Sequence, residues 1–305
     1  MSANWAVILA GGDGTRLQSM TRVITGDNRP KQFVPVIGRS TLLDQTRRRV
    51  ALSIDPNRTS IVVTQKHRRF YQPLKNEISP SLLLEQPLNK GTAPAILYAL
   101  LHVATKSPNA IVALFPSDHF FADDEEFMSH IDVAIDAVKV QPETVMLLGI
   151  TPTAAETEYG WIEQQPSILA SAEKSITRVK KFWEKPGLNL ATSLMERGCL
   201  WNSFVMVGRV DALLRMTRVA VPELYAPFAA ITPTFDTMAE HKALAELYSQ
   251  IEDSNFSHQV LAVRPEDLMV MKVGDVGWSD LGEPKRVLST LARIGVQSQL
   301  AMSAS

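Results

Sequence analysis

A glycine-rich loop near the N-terminus combines residue types that bind phosphate. The loop and its flanking residues are Leu9, Ala10, Gly11, Gly12, Asp13, Gly14, Thr15, Arg16 and Leu17. Glycine lets backbone N–H groups approach an anion because no Cβ stands in the way, and the guanidinium group of Arg16 can grip two phosphate oxygens at once. The composition predicts a phosphate-binding loop, although a tight strand-to-helix turn with a solvated arginine fits it equally well.

Two widespread nucleotide-binding motifs do not match this loop. Its glycines lack the G-x-G-x-x-G spacing of dinucleotide-binding folds, and no Gly-Lys-Ser/Thr follows, as a Walker A loop requires. The spacing therefore argues against a nicotinamide oxidoreductase.

Two charged residues further along the chain could complete a phosphate site. Lys31, which follows the stiffening Pro30, can neutralise charge on a transferring phosphoryl group, although a single lysine is more often solvated. Asp118 comes just after an apolar run, where the strands of an α/β sheet present ligands. A carboxylate there can hold Mg²⁺ together with phosphate oxygens, or it can cap the next segment.

The elements that must position these residues alternate between strands and helices. The predicted strands of the first half are Trp5–Leu9, Ser60–Thr64, Leu82–Leu84, Ile111–Phe115 and Val145–Leu148. The predicted helices between them are Leu42–Leu52, Thr92–Ala104 and Glu125–Val140. The strands are apolar on both faces, which is typical of strands covered by helices on both sides. The alternation predicts right-handed crossovers and a mainly parallel sheet.

The alternation becomes less regular after about Gly149. The predicted strands there are Tyr159–Gln164, Ile176–Trp183, Phe204–Val207, Val260–Val263 and Leu268–Val273. The predicted helices are Asp211–Val219, Glu223–Ala230, Thr237–Gln250 and Pro284–Ile294. No linker separates two domains, so we predict one domain over 1–295, in which a split near residue 150 would mark two functional halves, 1–150 and 151–295. The small polar residues 296–305 are predicted to form a flexible tail.

The glycine-rich loop followed by Pro30-Lys31-Gln32 resembles the signature of the sugar-1-phosphate nucleotidyltransferase family. The Pro-Lys-Gln-Phe form is similar to the mannose-1-phosphate guanylyltransferase branch. Further matching segments are Thr92–Ala95, Phe115–His119, Tyr159-Gly160, Glu184–Pro186, Trp201–Ser203 and Gly277–Gly282. The resemblance implies a Rossmann-like, three-layer α/β/α sandwich with a mainly parallel mixed sheet of the GT-A-like kind, and no β-helix domain.

The same resemblance implies transfer of a nucleotidyl group from GTP to mannose 1-phosphate, with Mg²⁺ or another divalent cation as cofactor. It makes 1–295 a single catalytic domain with a nucleotide-binding half (1–150) and a sugar-phosphate half (151–295). It implies catalytic roles for Arg16, Lys31 and Asp118, and a metal site at Asp118 and Asp280. It implies nucleotide binding by Leu9, Ala10, Gly11, Gly12, Gly14, Thr15, Arg16, Gln86, Gly91 and Thr92, and sugar-phosphate binding by Gly160, Glu184, Lys185 and Asn202. By themselves, Glu184 and Lys185 could equally be a surface ion pair, and Asn202 a turn residue.

The sequence departs from the guanylyltransferase branch at two informative positions. Gln86 stands where that branch commonly has glutamate, and an amide that both donates and accepts could read guanine, uracil or thymine. A UTP- or dTTP-dependent glucose-1-phosphate nucleotidyltransferase is therefore the alternative substrate assignment. Phe204 stands where the family usually has glycine. A catalytically silent sugar-nucleotide-binding paralogue is a further alternative, against which the retained charged residues argue.

The amino-acid composition limits which binding partners and which cellular compartment are expected. The chain has 305 residues, 45% of them hydrophobic and 21% charged, and a formal net charge of -1, so we expect neither nucleic acid nor a membrane as a partner. The single cysteine, Cys199, excludes an intrachain disulfide and suits a reducing compartment. The N-terminus lacks the pattern of a signal peptide, which predicts a cytoplasmic protein. A homodimer is one assembly compatible with the sequence.

Overall fold

The computed structural model describes residues 3–166 and 176–295, so the predicted flexible tail 296–305 lies outside the described residues. The described strands form one nine-stranded sheet in the order β3-β2-β1-β4-β8-β5-β9-β7-β6. The strands are β1 (Asn4–Leu9), β2 (Thr59–Thr64), β3 (Leu83–Gln86), β4 (Ile111–Pro116), β5 (Val145–Ile150), β6 (Gly160–Gln164), β7 (Ile176–Glu184), β8 (Leu200–Arg209) and β9 (Leu268–Val273).

The first four strands are parallel and bring their carboxyl ends to one edge. Leu9 at the end of β1 pairs with Pro116 at the end of β4. Ser117 continues this contact by donating its backbone N–H to the oxygen of Leu9 over 3.1 Å. The glycine-rich loop and Asp118 therefore leave the sheet side by side, as predicted for ligand-binding residues of an α/β sheet.

The second half of the sheet makes the sheet mixed, as the resemblance implies, but most strand pairs of this half are antiparallel, so the sheet is less parallel than predicted. β8 runs antiparallel to both β4 and β5, and β7 runs antiparallel to β6 and β9. Parallel pairing resumes only between β5 and β9. Strand direction was not readable from the sequence because a strand buried on both faces has the same apolar composition in either direction.

The two faces of the sheet are covered by different helices. The helices are α1 (Gln18–Thr25), α2 (Leu42–Val50), α3 (Arg68–Tyr71), α4 (Thr92–Lys106), α5 (Asp124–Val140), α6 (Leu188–Glu196), α7 (Val210–Ala220), α8 (Pro222–Ile231), α9 (Glu240–Gln250) and α10 (Pro284–Arg293). Because side chains alternate along a strand, Val7 belongs to the core cluster that contains residues of α4, α7, α8 and α9, whereas Ala6 and Ile8 belong to the cluster that contains residues of α2, α5 and α6. The result is an α/β fold with a mixed sheet.

Most predicted elements are present, with a few exceptions. The predicted strand Val260–Val263 is wrong, because Ser257–Leu261 forms a short π-helical turn. Helices α1, α3 and α6 were not predicted; each is short, and short apolar runs do not distinguish helix from strand. No described helix has both the length and the apolar character needed to cross a bilayer.

Candidate active site

The glycine-rich loop is held open by the side chain of Gln32. Its amide nitrogen donates to the backbone oxygens of Ala10 (2.9 Å) and Gly12 (2.8 Å), which turns these oxygens toward Gln32. Gly14 has a φ of 58°, a left-handed conformation that favours glycine. Within residues 3–166 and 176–295, the backbone N–H groups from Gly11 to Thr15 donate to no protein oxygen. Such a run of free N–H groups suits an anion.

Asp13 anchors the same loop to the segment after β2. Its Oδ1 lies 2.9 Å from Nε2 of His67 and 3.1 Å from Nζ of Lys66. Its Oδ2 accepts from Asn89 at 3.3 Å. Burial alone would raise the pKa of Asp13, but these donors outweigh burial and lower the pKa below its usual value. The carboxylate therefore acts as a charged tether, a role that the sequence did not suggest.

Lys31 connects the N-terminal half of the sheet to the segment before α10. Its side chain is buried, and its Nζ donates to the backbone oxygens of Asp280 (2.6 Å) and Leu281 (3.2 Å). The same Nζ lies 3.3 Å from Oδ2 of Asp118. The lysine is therefore fixed beside the carboxylates and is not the solvated residue that a single lysine usually is.

Asp280 is buried among groups that favour its charged form. Its Oδ1 accepts from the Tyr159 hydroxyl (2.8 Å) and from the Gly282 backbone (3.1 Å), and Nε of Arg286 lies 3.0 Å away. Burial alone would raise the pKa of Asp280, but nearby positive charge, including Arg286 and Lys31, and the Tyr159 hydrogen bond leave the pKa lowered. Its Oδ2 accepts no hydrogen bond from the described residues.

His119, next to Asp118, is a neutral imidazole at pH 7. Burial is the main cause that lowers its pKa to about 4. The indole nitrogen of Trp278 donates to Nδ1 of His119 over 3.3 Å, so the ring proton is on Nε2. A side chain that is neutral and already a donor at Nε2 is not poised as a general base.

Two adjoining cavities lie at this edge of the sheet. The first has a volume of about 310 Å³ and is lined by Gly14, Thr15, Arg16, Leu17, Lys31, Asp118, His119, Asp280 and Gly282. The second, of about 150 Å³, is lined by His119, Glu158, Tyr159, Gly160, Glu184, Asn202, Phe204, Ser257, Trp278 and Asp280. His119 and Asp280 belong to both, so the two cavities lie side by side in one cleft. We call them the phosphate cavity and the inner cavity.

The inner cavity contains three of the four predicted sugar-phosphate residues. A Cβ at Gly160 would lie 2.8 Å from the ring of Phe182 and 3.1 Å from Glu184, so only glycine fits. Burial raises the pKa of Glu184, and Lys185 opposes this only in part. Asn202 uses its Oδ1 to accept from the backbone of Phe204 over 3.1 Å, which leaves its NH₂ group for another acceptor. Asn202 is therefore both a turn residue and part of the cavity wall.

Two of the predicted cationic side chains, those of Lys185 and Arg16, are exposed to solvent. Lys185 is exposed and does not line either cavity, although its φ of 46° is a strained conformation for a residue with a side chain. Arg16 lines the phosphate cavity and pairs with Glu158 over 3.0 Å, with roughly half of each side chain exposed. This pair connects the glycine-rich loop to the wall of the inner cavity.

The predicted base-reading residues lie at the ends of β3 and α4. Gln86 is buried, and its Oε1 accepts from the Tyr248 hydroxyl over 2.8 Å. Gly91 has a φ of 87°, and a Cβ there would overlap the backbone oxygen of Ser254. Thr92 accepts from the backbone of Phe256 through its hydroxyl, at 2.8 Å. Gly91 and Thr92 thus hold the segment that precedes α4 against residues 254–256.

Comparison with known proteins assigns this chain to a family. A family model described as nucleotidyl transferase matches residues 5–295. The chain belongs to the nucleotidyl transferase family. The xanthan biosynthesis protein XanB of Xanthomonas campestris pv. campestris (strain B100) is 28% identical over 299 residues, which cover 97% of this chain and 61% of XanB. A mannose-1-phosphate guanylyltransferase of Salmonella montevideo is 28% identical over 284 residues, which cover 90% of this chain and 57% of that protein.

The chain therefore spans less than two thirds of the length of these curated relatives. A solved structure described as mannose-1-phosphate geranyltransferase from Thermus thermophilus superimposes with a TM-score of 0.80 at 27% identity. That match covers 97% of this chain and 80% of the other. The α/β fold with its mixed sheet is thus shared with a similar protein over nearly the whole chain.

The sequence analysis assigned no role to several residues that contact the candidate site. Gln32, Tyr159 and Trp278 lie in or beside quoted motifs, so their positions carried a signal although no role was assigned. Arg286 lies in α10, where an arginine near a helix start does not indicate which carboxylate it contacts. Its contact with Asp280 is evident only in the folded chain.

Two other features have binding chemistry but lie outside this cleft. His102, Asp236 and Glu240 could offer three ligand atoms to a metal ion. However, Tyr98 donates to Glu240 over 2.6 Å and Lys106 lies 3.4 Å from Asp236, so both carboxylates already have partners. A larger cavity, of about 450 Å³, lies beside α2 and contains no predicted site residue.

Proposed function

We propose that this chain transfers a guanylyl group from GTP to mannose 1-phosphate and releases pyrophosphate. The observation that carries the proposal is the phosphate cavity, where free loop amides, Lys31 and two aspartates converge. That cavity adjoins the inner cavity, whose Glu184 and Asn202 suit the hydroxyls of a sugar. Relatives named mannose-1-phosphate guanylyltransferase support the choice of substrates.

In the proposed reaction, an oxygen of the sugar phosphate attacks the α-phosphorus of the triphosphate. The bond between the α-phosphorus and the bridging oxygen breaks, and pyrophosphate leaves with the bonding electrons. The attacking oxygen is already ionised at neutral pH, so no general base is required, which agrees with the neutral donor His119. Catalysis then rests on alignment and on stabilisation of charge.

The chain's cations and amides would perform these two tasks. The loop from Gly11 to Thr15 would wrap the triphosphate, and Arg16 would hold the departing pyrophosphate. Lys31 would lie near the α-phosphate, where its contact with Asp118 fixes its position. Lys185, which is exposed and follows the cavity residue Glu184 in the chain, would receive the sugar phosphate.

Asp118 and Asp280 are suited to a magnesium ion. Both line the phosphate cavity, and Oδ2 of Asp280 has no donor among the described residues. The lowered pKa of Asp280 keeps it a carboxylate, and carboxylate oxygens are ligands that Mg²⁺ prefers. A bound Mg²⁺ would offset the charge of the phosphate oxygens.

We also propose that residues 1–295 form one catalytic domain of the GT-A-like, three-layer kind. In support, β8 of the sugar-phosphate half pairs with β4 of the nucleotide-binding half, so the two halves share a sheet. Helices on opposite faces of that sheet support the layered arrangement.

A matrix of initial rates tests the proposed activity. GTP, ATP, UTP and dTTP would be crossed with mannose 1-phosphate and glucose 1-phosphate, with and without Mg²⁺, while pyrophosphate release is followed. We expect the highest rate for GTP with mannose 1-phosphate. Faster turnover of UTP or dTTP with glucose 1-phosphate would replace the proposed substrate assignment by that pair. If no pair released pyrophosphate, a catalytically silent sugar-nucleotide-binding protein would be favoured.

Asp118→Asn gives a matched test of the site. We expect its turnover to fall by roughly a hundredfold or more, because the cavity loses a fixed carboxylate. Asp136→Asn, on the exposed face of α5, makes the same chemical change and should keep the wild-type rate. Wild-type turnover in Asp118→Asn would contradict the role assigned to this residue.

A further inference from the structure

A buried tyrosine holds the side chain of Gln86. Tyr248, on α9, is fully buried, and its hydroxyl lies 2.8 Å from Oε1 of Gln86, which is itself 2% exposed. Burial raises the pKa of Tyr248 far above its usual value, so the hydroxyl keeps its proton. This contact joins residues 162 positions apart in the chain.

The contact selects one of the two orientations of the Gln86 amide. The Tyr248 hydroxyl proton requires an acceptor, and Oε1 of Gln86 is its hydrogen-bond acceptor among the described residues. If the amide were rotated by 180°, its NH₂ group would face the hydroxyl and the buried O–H would lose that acceptor. Leaving a buried donor unpaired disfavours the rotated form by roughly tenfold or more in population.

The selected orientation turns the NH₂ group toward the glycine-rich loop. A Cβ at Gly11 would lie 2.9 Å from Nε2 of Gln86 and 2.9 Å from Oγ1 of Thr64. Glycine at position 11 therefore leaves the space beside this donor free. At the neighbouring Gly12, a Cβ would meet no atom within 4 Å, so there is free space beside Gly12 as well.

We propose that Tyr248 is a positioning residue for base selection, which fixes the Gln86 amide so that its NH₂ group donates to a carbonyl of the nucleobase. The site would accept bases with a keto group at that place, such as O6 of guanine or O4 of uracil and thymine. It would reject adenine and cytosine, which present an amino group there. This inference rests on the proposed function and makes it more specific.

Triphosphates that differ by one group provide the test. Inosine triphosphate keeps the 6-keto group of GTP and lacks its 2-amino group, whereas 2-aminopurine riboside triphosphate has the opposite pattern. For the wild type, we expect ITP to retain kcat/KM within about tenfold of GTP. We expect ATP and the 2-aminopurine nucleotide to lose about a hundredfold or more, because an unpaired buried donor penalises the wrong base.

Tyr248→Phe removes the hydroxyl group that fixes the Gln86 amide and keeps the aromatic ring. We expect the ratio of kcat/KM for GTP to that for ATP to fall by about tenfold, chiefly through KM, because the amide can then rotate and accept from an amino group. Gln86→Met should lower the same ratio by removing the amide. Tyr98→Phe is the matched control: Tyr98 is also buried and donates to Glu240 of α9, but it does not contact Gln86.

Dissociation constants measured by calorimetry separate this inference from the proposed function. A selectivity for GTP and ITP in binding, weakened in Tyr248→Phe and kept in Tyr98→Phe, supports the inference even where no product forms. Equal affinity of the wild type for GTP and ATP overturns it, as does unchanged selectivity in a folded Tyr248→Phe. If that variant does not fold, the ITP and 2-aminopurine series on the wild type decides: tight binding of the 2-aminopurine nucleotide refutes a carbonyl-reading donor.

Discussion

The ammonium group of Lys31 donates to the backbone oxygen of Asp280 over 2.6 Å, although the two residues are 249 positions apart in the chain. This bond ties the segment after the glycine-rich loop to the segment before α10. Asp118, 3.3 Å from the same ammonium group, completes the cluster. The Lys31 side chain thus adds positive charge to the phosphate cavity and also helps to fix the position of Asp280.

Lys31→Met should lower turnover by roughly a hundredfold or more, because the cavity loses the cation next to its aspartates. It should also reduce the free energy of unfolding by about 1–3 kcal/mol, since two buried backbone oxygens lose their donor. Steady-state rates and urea denaturation of the same preparation would measure the two effects. Near wild-type turnover in a folded Lys31→Met protein would show that catalysis does not require this lysine.

Gln32→Ala should weaken triphosphate binding by about tenfold, because the oxygens of Ala10 and Gly12 lose the donor that shapes the loop. Gln45→Ala is a close control, since Gln45 donates in the same way to the oxygens of Ile37 and Ser40. Both variants should lose about 1 kcal/mol of stability, but only Gln32→Ala should raise KM for the triphosphate. Equal KM values in the two variants would argue that the loop keeps its shape without Gln32.

Phe204→Gly should be more stable than Phe204→Ala by about 1 kcal/mol, because Phe204 has a φ of 60° and lies in a conformation that only glycine adopts without strain. In an ordinary strand the order is reversed. Thermal unfolding of both variants gives the comparison. Because the ring lines the inner cavity, both should also accept a wider range of sugar phosphates; a stability order with alanine above glycine would show that the backbone relaxes at this position.

His67 should make the protein less stable as the pH falls below 6.5. Burial lowers the pKa of His67, and the bond to Asp13 opposes this only in part, so the folded chain takes up the proton at lower pH than the unfolded chain does. Between these two pKa values the unfolded state binds more protons, and the free energy of unfolding therefore rises with pH. Denaturant titrations at pH 5, 6, 7 and 8 should show this slope in the wild type and a smaller one in His67→Gln; identical profiles would contradict the assignment.

Local pattern was sufficient to predict most elements of secondary structure. Apolar runs predicted β1, β2 and β4 to within two residues at each end, because a buried strand needs consecutive apolar side chains. The carboxyl ends of these parallel strands then placed Asp118 beside the glycine-rich loop. The π-helical turn at Ser257–Leu261 was mistaken for a strand because four apolar residues suit either structure.

The sequence by itself determined which segments are buried, where the glycine-rich loop lies and which family the chain resembles. Burial and the loop depend on residues within a few positions of one another, and the resemblance depends on the order of short motifs along the chain. Only the tertiary structure decided the direction of β8, the contact of Lys31 with Asp280 and the contact of Tyr248 with Gln86. Such contacts join segments far apart in the chain, and they follow from strand order and helix placement, which no short window of sequence encodes.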